Sequence, residues 1–306
     1  MGELFASVLR WLRSIVTAPL WWGRRGSDSA PEADPTERRR MLGAGAAALA
    51  GALAGVGLSR RAEASTDHEP GPPSGRRWGM AIDLDRCTGC NSCQVACRQE
   101  NNIPTHGPEP RYEAARIEWM SMLWDEPEDE RAFPQLMPFP CQHCHDAPCV
   151  KVCPVGATFK DSEGIIVQVW DRCIGCRYCM VACPYGRRFF NWDEPKFEGT
   201  LAQMLNPDVA TRTAGVVEKC TFCSHRLKRV REEARLDGRD VADEDLRQMT
   251  ACASACPADA ITFGDLNDPD SAVAGLRRSP RKFRLLEHLG TDPNVFYLRR
   301  DRREDS

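Results

Sequence analysis

The chain has 306 residues, 42% hydrophobic and 28% charged, with a formal net charge of -3. That length holds two ordinary domains, or one core with long excursions, and the near-balanced charge gives no reason to expect a nucleic-acid binder. Cysteine is the outlier, because sixteen in the chain are too dilute for a disulfide mini-scaffold and too many for a thiol-poor enzyme.

All sixteen cysteines lie between Cys87 and Cys256, so the first part of the chain needs a different explanation. Leu4, Phe5, Val8, Leu9, Leu12, Ile15 and Val16 fall at helical spacing beside Arg10 and Arg13. This run reads either as an interfacial helix or as the lengthened start of a signal. Arg38 and Arg39 then precede Met41-Leu42, an uncharged Ala/Gly-rich run from Gly43 to Leu58, and the alternate small residues Ala62 and Ala64. That pattern predicts a twin-arginine export signal over residues 1–64, cleaved after Ala64. The apolar run is shorter and thinner than the roughly 20 residues that span a membrane. Residues 65–77, rich in proline and glycine, read as a linker.

From Trp78 onward the cysteines form four groups. They are Cys87, Cys90, Cys93, Cys97; Cys141, Cys144, Cys149, Cys153; Cys173, Cys176, Cys179, Cys183; and Cys220, Cys223, Cys252, Cys256. Each ends in a CxxxC step, and Pro154, Pro184 and Pro257 follow the last cysteine of the second, third and fourth groups, where the first has Arg98. Short apolar runs at Trp78 to Leu84, Ile165 to Trp170 and Ala260 to Phe263 read as strands, while Ser92 to Gln99 and Cys179 to Cys183 leave room for one or two helical turns. The fold class expected is α+β with little regular structure: two bacterial-type two-cluster ferredoxin modules with insertions. Module A takes 78–98 plus 216–266, and module B takes 139–198. Connecting insertions fill 99–138 and 199–215, and 267–306 is a C-terminal tail. Within the first insertion, Arg116 to Met120 suggests a strand pair. His225 to Leu236 suggests a charged helix, read either as solvated and laced by ion pairs or as a docking surface.

Thiolates are soft ligands that suit zinc or iron–sulfur clusters, and spacing separates the two. Zinc sites use two distant CxxC knuckles, whereas three successive cysteines at CxxCxxC spread around something wider than one ion. Cys87 to Cys97 and Cys173 to Cys183 match the bacterial ferredoxin run, whose fourth cysteine ligates the other cluster of a pair. Exchange of the fourth ligand assigns four [4Fe-4S] clusters. Set 1 is Cys87, Cys90, Cys93 and Cys256; set 2 is Cys141, Cys144, Cys149 and Cys183. Set 3 is Cys153, Cys173, Cys176 and Cys179; set 4 is Cys97, Cys220, Cys223 and Cys252. An exported chain meets an oxidising compartment, so structural disulfides or zinc stand as the competing reading. Gly89, Gly175, Ala182 and Ala255 leave amides free to approach sulfide. Arg187, Arg188 and Lys219 read as solvated surface charges in preference to tuning groups, and His143 and His145 as groups near sulfur or in an exposed loop. No nucleotide loop or catalytic pair is evident.

The segments Trp78 to Asp83, Cys87 to Cys97, Pro140 to Cys144, Pro148-Cys149, Cys153 to Thr158, Cys183 to Gly186 and Lys219 to Cys223 resemble the four-cluster iron–sulfur subunits of the DMSO, tetrathionate and polysulfide reductase family. Phe263 to Pro269 and Val295 to Leu298 are similar to the iron–sulfur part of alternative complex III. The resemblance implies an electron-transfer subunit without a substrate site of its own, set between two partners. These are a large catalytic subunit, often of molybdopterin type, and a polytopic quinone-interacting membrane subunit. It also implies an alternative, a molybdenum-free quinol:cytochrome oxidoreductase. With the export signal, the location expected is the periplasmic face of the cytoplasmic membrane.

Overall fold

The computed structural model describes residues 75–104, 116–125, 135–197 and 199–300, all within the unit Glu63–Ser306. Arg38, Arg39, Ala62, Ala64 and the run from Leu4 to Val16 lie outside the described residues. The first elements in chain order are β1 (Trp78–Asp83), α1 (Ser92–Glu100), β2 (Met120–Asp125), β3 (Gln135–Pro140), α2 (Pro148–Lys151), β4 (Thr158–Lys160) and β5 (Ile166–Gln168). Next come α3 (Tyr178–Ala182), β6 (Phe189–Phe190), α4 (Thr200–Gln203), β7 (Val217–Glu218), α5 (Ser224–Leu236) and α6 (Asp243–Arg247). The last are α7 (Ala251–Ser254), β8 (Ile261–Asp265), α8 (Ala272–Arg277), β9 (Lys282–Phe283) and β10 (Val295–Leu298). Among these helices only α1, with nine residues, and α5, with thirteen, exceed two turns, which is the small mixed α+β architecture of dicluster ferredoxins.

All six residues of β1 are buried, as a central strand covered on both faces requires. It pairs antiparallel with β8, Met80 opposite Phe263, and parallel with β10, Met80 opposite Val295, in a sheet of order β8-β1-β10-β9. Gly79 is obligatory here, because a Cβ would stand 2.4 Å from Leu266 Cδ1 and 2.8 Å from the Asn294 carbonyl oxygen. One face carries Trp78, which stacks on Phe263, and Phe263 meets the ring of Phe222 edge-on at 5.3 Å. The sheet is thereby tied to the fourth cysteine group. The other face packs Ala81, Phe296 and Leu298 against Leu266 and Val273 under α8, whose N-cap Ser271 accepts the Ala274 N–H.

Two sequence expectations need adjustment. The expected tail 267–306 is not peripheral over its described part, 267–300: Val295–Leu298 is wholly buried and lies between β1 and β9. An apolar run with no polar face must be covered on both sides, and the sheet interior does this. In the first insertion, Arg116 to Trp119 forms no ladder, although Ile117 and Trp119 are buried. The strand starts at Met120, and its antiparallel partner is Gln135–Pro140.

The expected helix after Cys223 is present as α5, with Leu227 and Ala234 buried. Its charges serve two purposes. Arg235 pairs with Glu232 along the helix, whereas Arg226 reaches Glu100 of α1 and Arg231 reaches Glu163.

Candidate iron–sulfur cluster sites

The cysteine loops share one backbone device. The residue before the second cysteine of every group is left-handed: Gly89 (φ 69°), His143 (41°), Gly175 (67°) and Phe222 (53°). Asn91 and Arg177, which cap the helices of the first and third groups, are left-handed as well. Alternating right- and left-handed residues curl the chain so that successive amides face a common hollow, the geometry of an anion nest. Glycine is sterically required at 175, where a Cβ would lie 2.2 Å from the Gly215 carbonyl oxygen.

Tertiary folding brings the thiols together in fours. Cys97, Cys220, Cys223 and Cys252 line one cavity, and Cys153, Cys173, Cys176 and Cys179 line another. Cys256, Cys87 and Cys90 are the thiols that repel Cys93, and Cys141, Cys149 and Cys183 those that repel Cys144. All sixteen cysteines are free thiols. Among the described residues no three His, Cys, Asp or Glu side chains are arranged to hold a single metal ion; the thiols surround gaps instead.

Electrostatics tests whether a cluster fits these gaps. Burial, then mutual repulsion, pushes the thiol pKa values of Cys93, Cys144 and Cys220 up to about 12. The same causes push Cys97 and Cys252 well above the ordinary thiol value. Exposed Cys90 is the contrast, its pKa lowered by the hydrogen bond with the Ser92 hydroxyl. Buried thiols crowded this way do not ionise unaided, and a cationic iron–sulfur core supplies the charge that holds them as thiolates. The donors therefore fit cubane clusters, four for sixteen cysteines.

The sets also touch one another. Cys93 repels Cys97 and Cys252, Cys141 repels Cys220, and Cys149 repels Cys179. The thiol groups thus run in the spatial order set 1, set 4, set 2, set 3. Cys90 and Cys176, at the two ends, are exposed.

The groups between the sets depart from the sequence expectation. Arg188 is only 3% exposed and Lys219 is fully buried, so neither is a solvated surface charge. The Arg188 guanidinium donates to Cys149 Sγ at 3.1 Å, to Thr158 Oγ1 and to Gln168 Oε1. Lys219 Nζ donates to the Cys220 carbonyl at 2.7 Å. Arg187 is half-buried, its guanidinium 4.6 Å from the Phe139 ring. Sequence proximity to a ligand raised the question of tuning for all three, but only the fold shows which way each points.

His143 is fully buried and stacks on Phe222 at 3.7 Å, joining equivalent positions of the second and fourth groups. Its Nδ1 accepts the Ile166 N–H, so Nε2 carries the hydrogen and donates to the Cys220 carbonyl. Burial, reinforced by Lys219, holds its pKa well below the usual value, and a neutral ring bonded at both nitrogens is a spacer, not a base. His145 is exposed in its loop.

Sequence reasoning passed over Arg212. Its guanidinium is paired with buried Glu218, donates to the carbonyls of Asn101 and Asn102 at the end of α1, and lies over Trp119 and Trp170. It ties the second insertion to module A, and a lone arginine among loop residues carries no sequence signal for that role.

Comparison with known proteins agrees with this geometry. Models of the 4Fe-4S dicluster domain match residues 132–201 and, as a second model, 86–157 and 172–260. The menaquinone reductase iron–sulfur cluster-binding subunit of Nitratidesulfovibrio vulgaris is 48% identical over 230 residues, 73% of this chain and 89% of that protein. The Hdr-like menaquinol oxidoreductase iron–sulfur subunit 1 of Archaeoglobus fulgidus is 38% identical over 86% of this chain and 97% of its own. The arsenate respiratory reductase iron–sulfur subunit of a Shewanella species is 36% identical over 73% of this chain and 96% of its own.

Proposed function

Since the chain belongs to the 4Fe-4S dicluster family of respiratory reductase iron–sulfur subunits, we propose that it relays electrons between a quinone-reactive membrane subunit and a catalytic subunit, with no substrate site of its own. Set 1 (Cys87, Cys90, Cys93, Cys256), set 2 (Cys141, Cys144, Cys149, Cys183), set 3 (Cys153, Cys173, Cys176, Cys179) and set 4 (Cys97, Cys220, Cys223, Cys252) each hold one [4Fe-4S] cluster. When bound, the clusters supply reversible one-electron uptake and release. The protein's part is to hold them in series, shield the inner two from water and offer the outer two to partners. The continuous order from set 1 through 4 and 2 to 3, with an exposed cysteine at either end, carries this reading.

The two ends differ. Around Cys176 the surface exposes Ile174, Tyr178 and Val181, at 63%, 57% and 83%, an apolar rim suited to a membrane subunit. Around Cys90 the surface keeps one exposed apolar side chain at the matching place, Val95, beside polar Thr88, Asn91 and Gln94, a more polar rim that suits the catalytic subunit, for which we propose the molybdopterin type. The similarity to the Archaeoglobus menaquinol oxidoreductase subunit, over 86% of this chain and 97% of its own, favours a second reading, a molybdenum-free quinol oxidoreductase. Arg38-Arg39 with Ala62 and Ala64 supports export of the folded subunit by the twin-arginine route to the periplasmic face, where its partners hold it.

Anaerobic purification tests the relay, with about sixteen iron and sixteen acid-labile sulfide per chain expected from four cubanes. In Cys97→Ser, the EPR signal altered should be that of the cluster of Cys220, and loss of the Cys87 cluster's signal would refute the ligand sets. Subunits co-purifying after mild detergent extraction decide between the two complexes. Replacing Arg38 and Arg39 by lysine should leave the chain in the cytoplasm.

A further inference from the structure

Among the described residues, Arg188 and Lys219 are buried cations with no carboxylate among their hydrogen-bond partners. Arg188 bonds Thr158, Gln168 and the Cys149 sulfur, and Lys219 bonds a carbonyl. An uncompensated charge in a protein interior is strongly disfavoured, so the counter-charge must come from the thiolates around them. Arg188 lies 3.1 Å from the Cys149 sulfur of set 2 and also bonds Cys179 of set 3. Lys219, bonded to the Cys220 carbonyl, acts electrostatically on Cys141 and Cys149 of set 2 and on Cys220 of set 4. Each cation therefore stands at a border between two sets, and set 2 is the member common to both. Half-buried Arg187 adds a third charge beside Cys183 and Cys141. Among the described residues, the other cation beside set 4 is Arg226, and its charge is largely taken up by two bonds to Glu100.

Taking up one electron adds one negative charge to a thiolate cage. A fixed cation in a low-dielectric interior stabilises that reduced state, and its effect falls with distance. Arginine keeps its charge at any working pH.

Building on the ligand sets proposed above, we propose that Arg188 and Lys219 are redox-positioning residues: Arg188 raises the potentials of clusters 2 and 3 together, and Lys219 those of clusters 4 and 2. Cluster 2, facing both, is the more easily reduced of the two inner clusters, so an electron in transit rests there and not on cluster 4.

The test is an EPR-monitored potentiometric titration of the anaerobic four-cluster protein, with signals assigned by serine replacement of Cys144 and Cys176. In Arg188→Gln the midpoints of clusters 2 and 3 should fall while those of 1 and 4 stay. In Lys219→Met clusters 2 and 4 should fall while 1 and 3 stay. The charge-keeping variants Arg188→Lys and Lys219→Arg should recover most of each shift, which a purely packing role would not give. An unmoved cluster 2 in a fully loaded Arg188→Gln protein, or a cluster 1 that moves as far, overturns the proposal. Should the neutral variants fail to fold, the unmodified protein still decides, because a cluster 4 titrating above cluster 2 overturns it as well. A preparation without iron or labile sulfide would end the cluster reading itself, whereas a four-cluster protein with the wrong pattern of shifts ends only this inference.

Discussion

The two halves of the relay are held together by different means. The cysteines of sets 2 and 3 run from Cys141 to Cys183, and the small hairpin β4-β5 lies between their two groups, so that module closes over short loops. Sets 1 and 4 draw on Cys87 and Cys256 at opposite ends of the cysteine region and meet because β8 and β10 clasp β1. Closing a long loop costs more entropy than closing a short one, though only logarithmically, and the sheet and its aromatic core supply the compensating burial. Local spacing therefore suffices to assemble one module, while the other depends on strands far away in sequence.

The largest effect should come from breaking the clasp. Tyr297 is fully buried in β10, and its hydroxyl donates to the Pro138 carbonyl. Tyr297→Asp places a charge there and should cost more than about 4 kcal/mol. Iron should fall toward half, with the EPR signals of sets 1 and 4 lost before those of 2 and 3. Equal loss of all four would show that the modules do not differ as described.

Next is Arg212→Met, which leaves Glu218 buried without its cation and should destabilise the chain by about 3–5 kcal/mol in denaturant unfolding. In module B, Gly175→Ala combines a left-handed backbone with a clash against the Gly215 carbonyl. It should cost about 1–3 kcal/mol and weaken the set 3 signal selectively.

A pH effect is smaller and belongs to the junction of α1 with α5. Burial pushes the Glu100 carboxyl pKa up, but bonds from Arg226 and His225 outweigh this and hold it below its ordinary value. A folded-state value below the unfolded one means that stability from Glu100 is complete above the ordinary carboxylate range and fades as pH falls through the lowered value. The melting-temperature gap between the native chain and Glu100→Gln should accordingly narrow as the solution is acidified, and a gap independent of pH would contradict the pairing. The smallest effect is expected of Arg235→Ala, which removes an exposed pair with Glu232 along α5 and should leave the melting temperature unchanged.

Much of the site was legible beforehand, because a cluster ligand carries two local signals, residue type and spacing. CxxCxxCxxxC at Cys87 and Cys173 specifies short loops, and the left-handed positions at Gly89 and Gly175 follow from glycine's freedom at φ > 0. The strands at Trp78, Ile166 and Ile261 and the helix from Ser224 were visible as apolar runs and charge periodicity. The strand after Trp119 was placed a few residues early, since alternation shows an extended chain but not whether a neighbour exists to bond it. Val295 to Leu298 read as a tail for the same reason: burial on both faces is a property of what surrounds a strand.

By itself, then, the sequence determined the ligand chemistry and the number of clusters, because thiolate spacing acts over a few residues and survives any arrangement of the rest. Tertiary structure alone decided which segments brace the sets and where the charges between them lie. Arg188, Lys219 and Arg212 are ordinary cations until the fold removes their water. Desolvation, which depends on every neighbour at once, is what turns them into partners of sulfur and carboxylate.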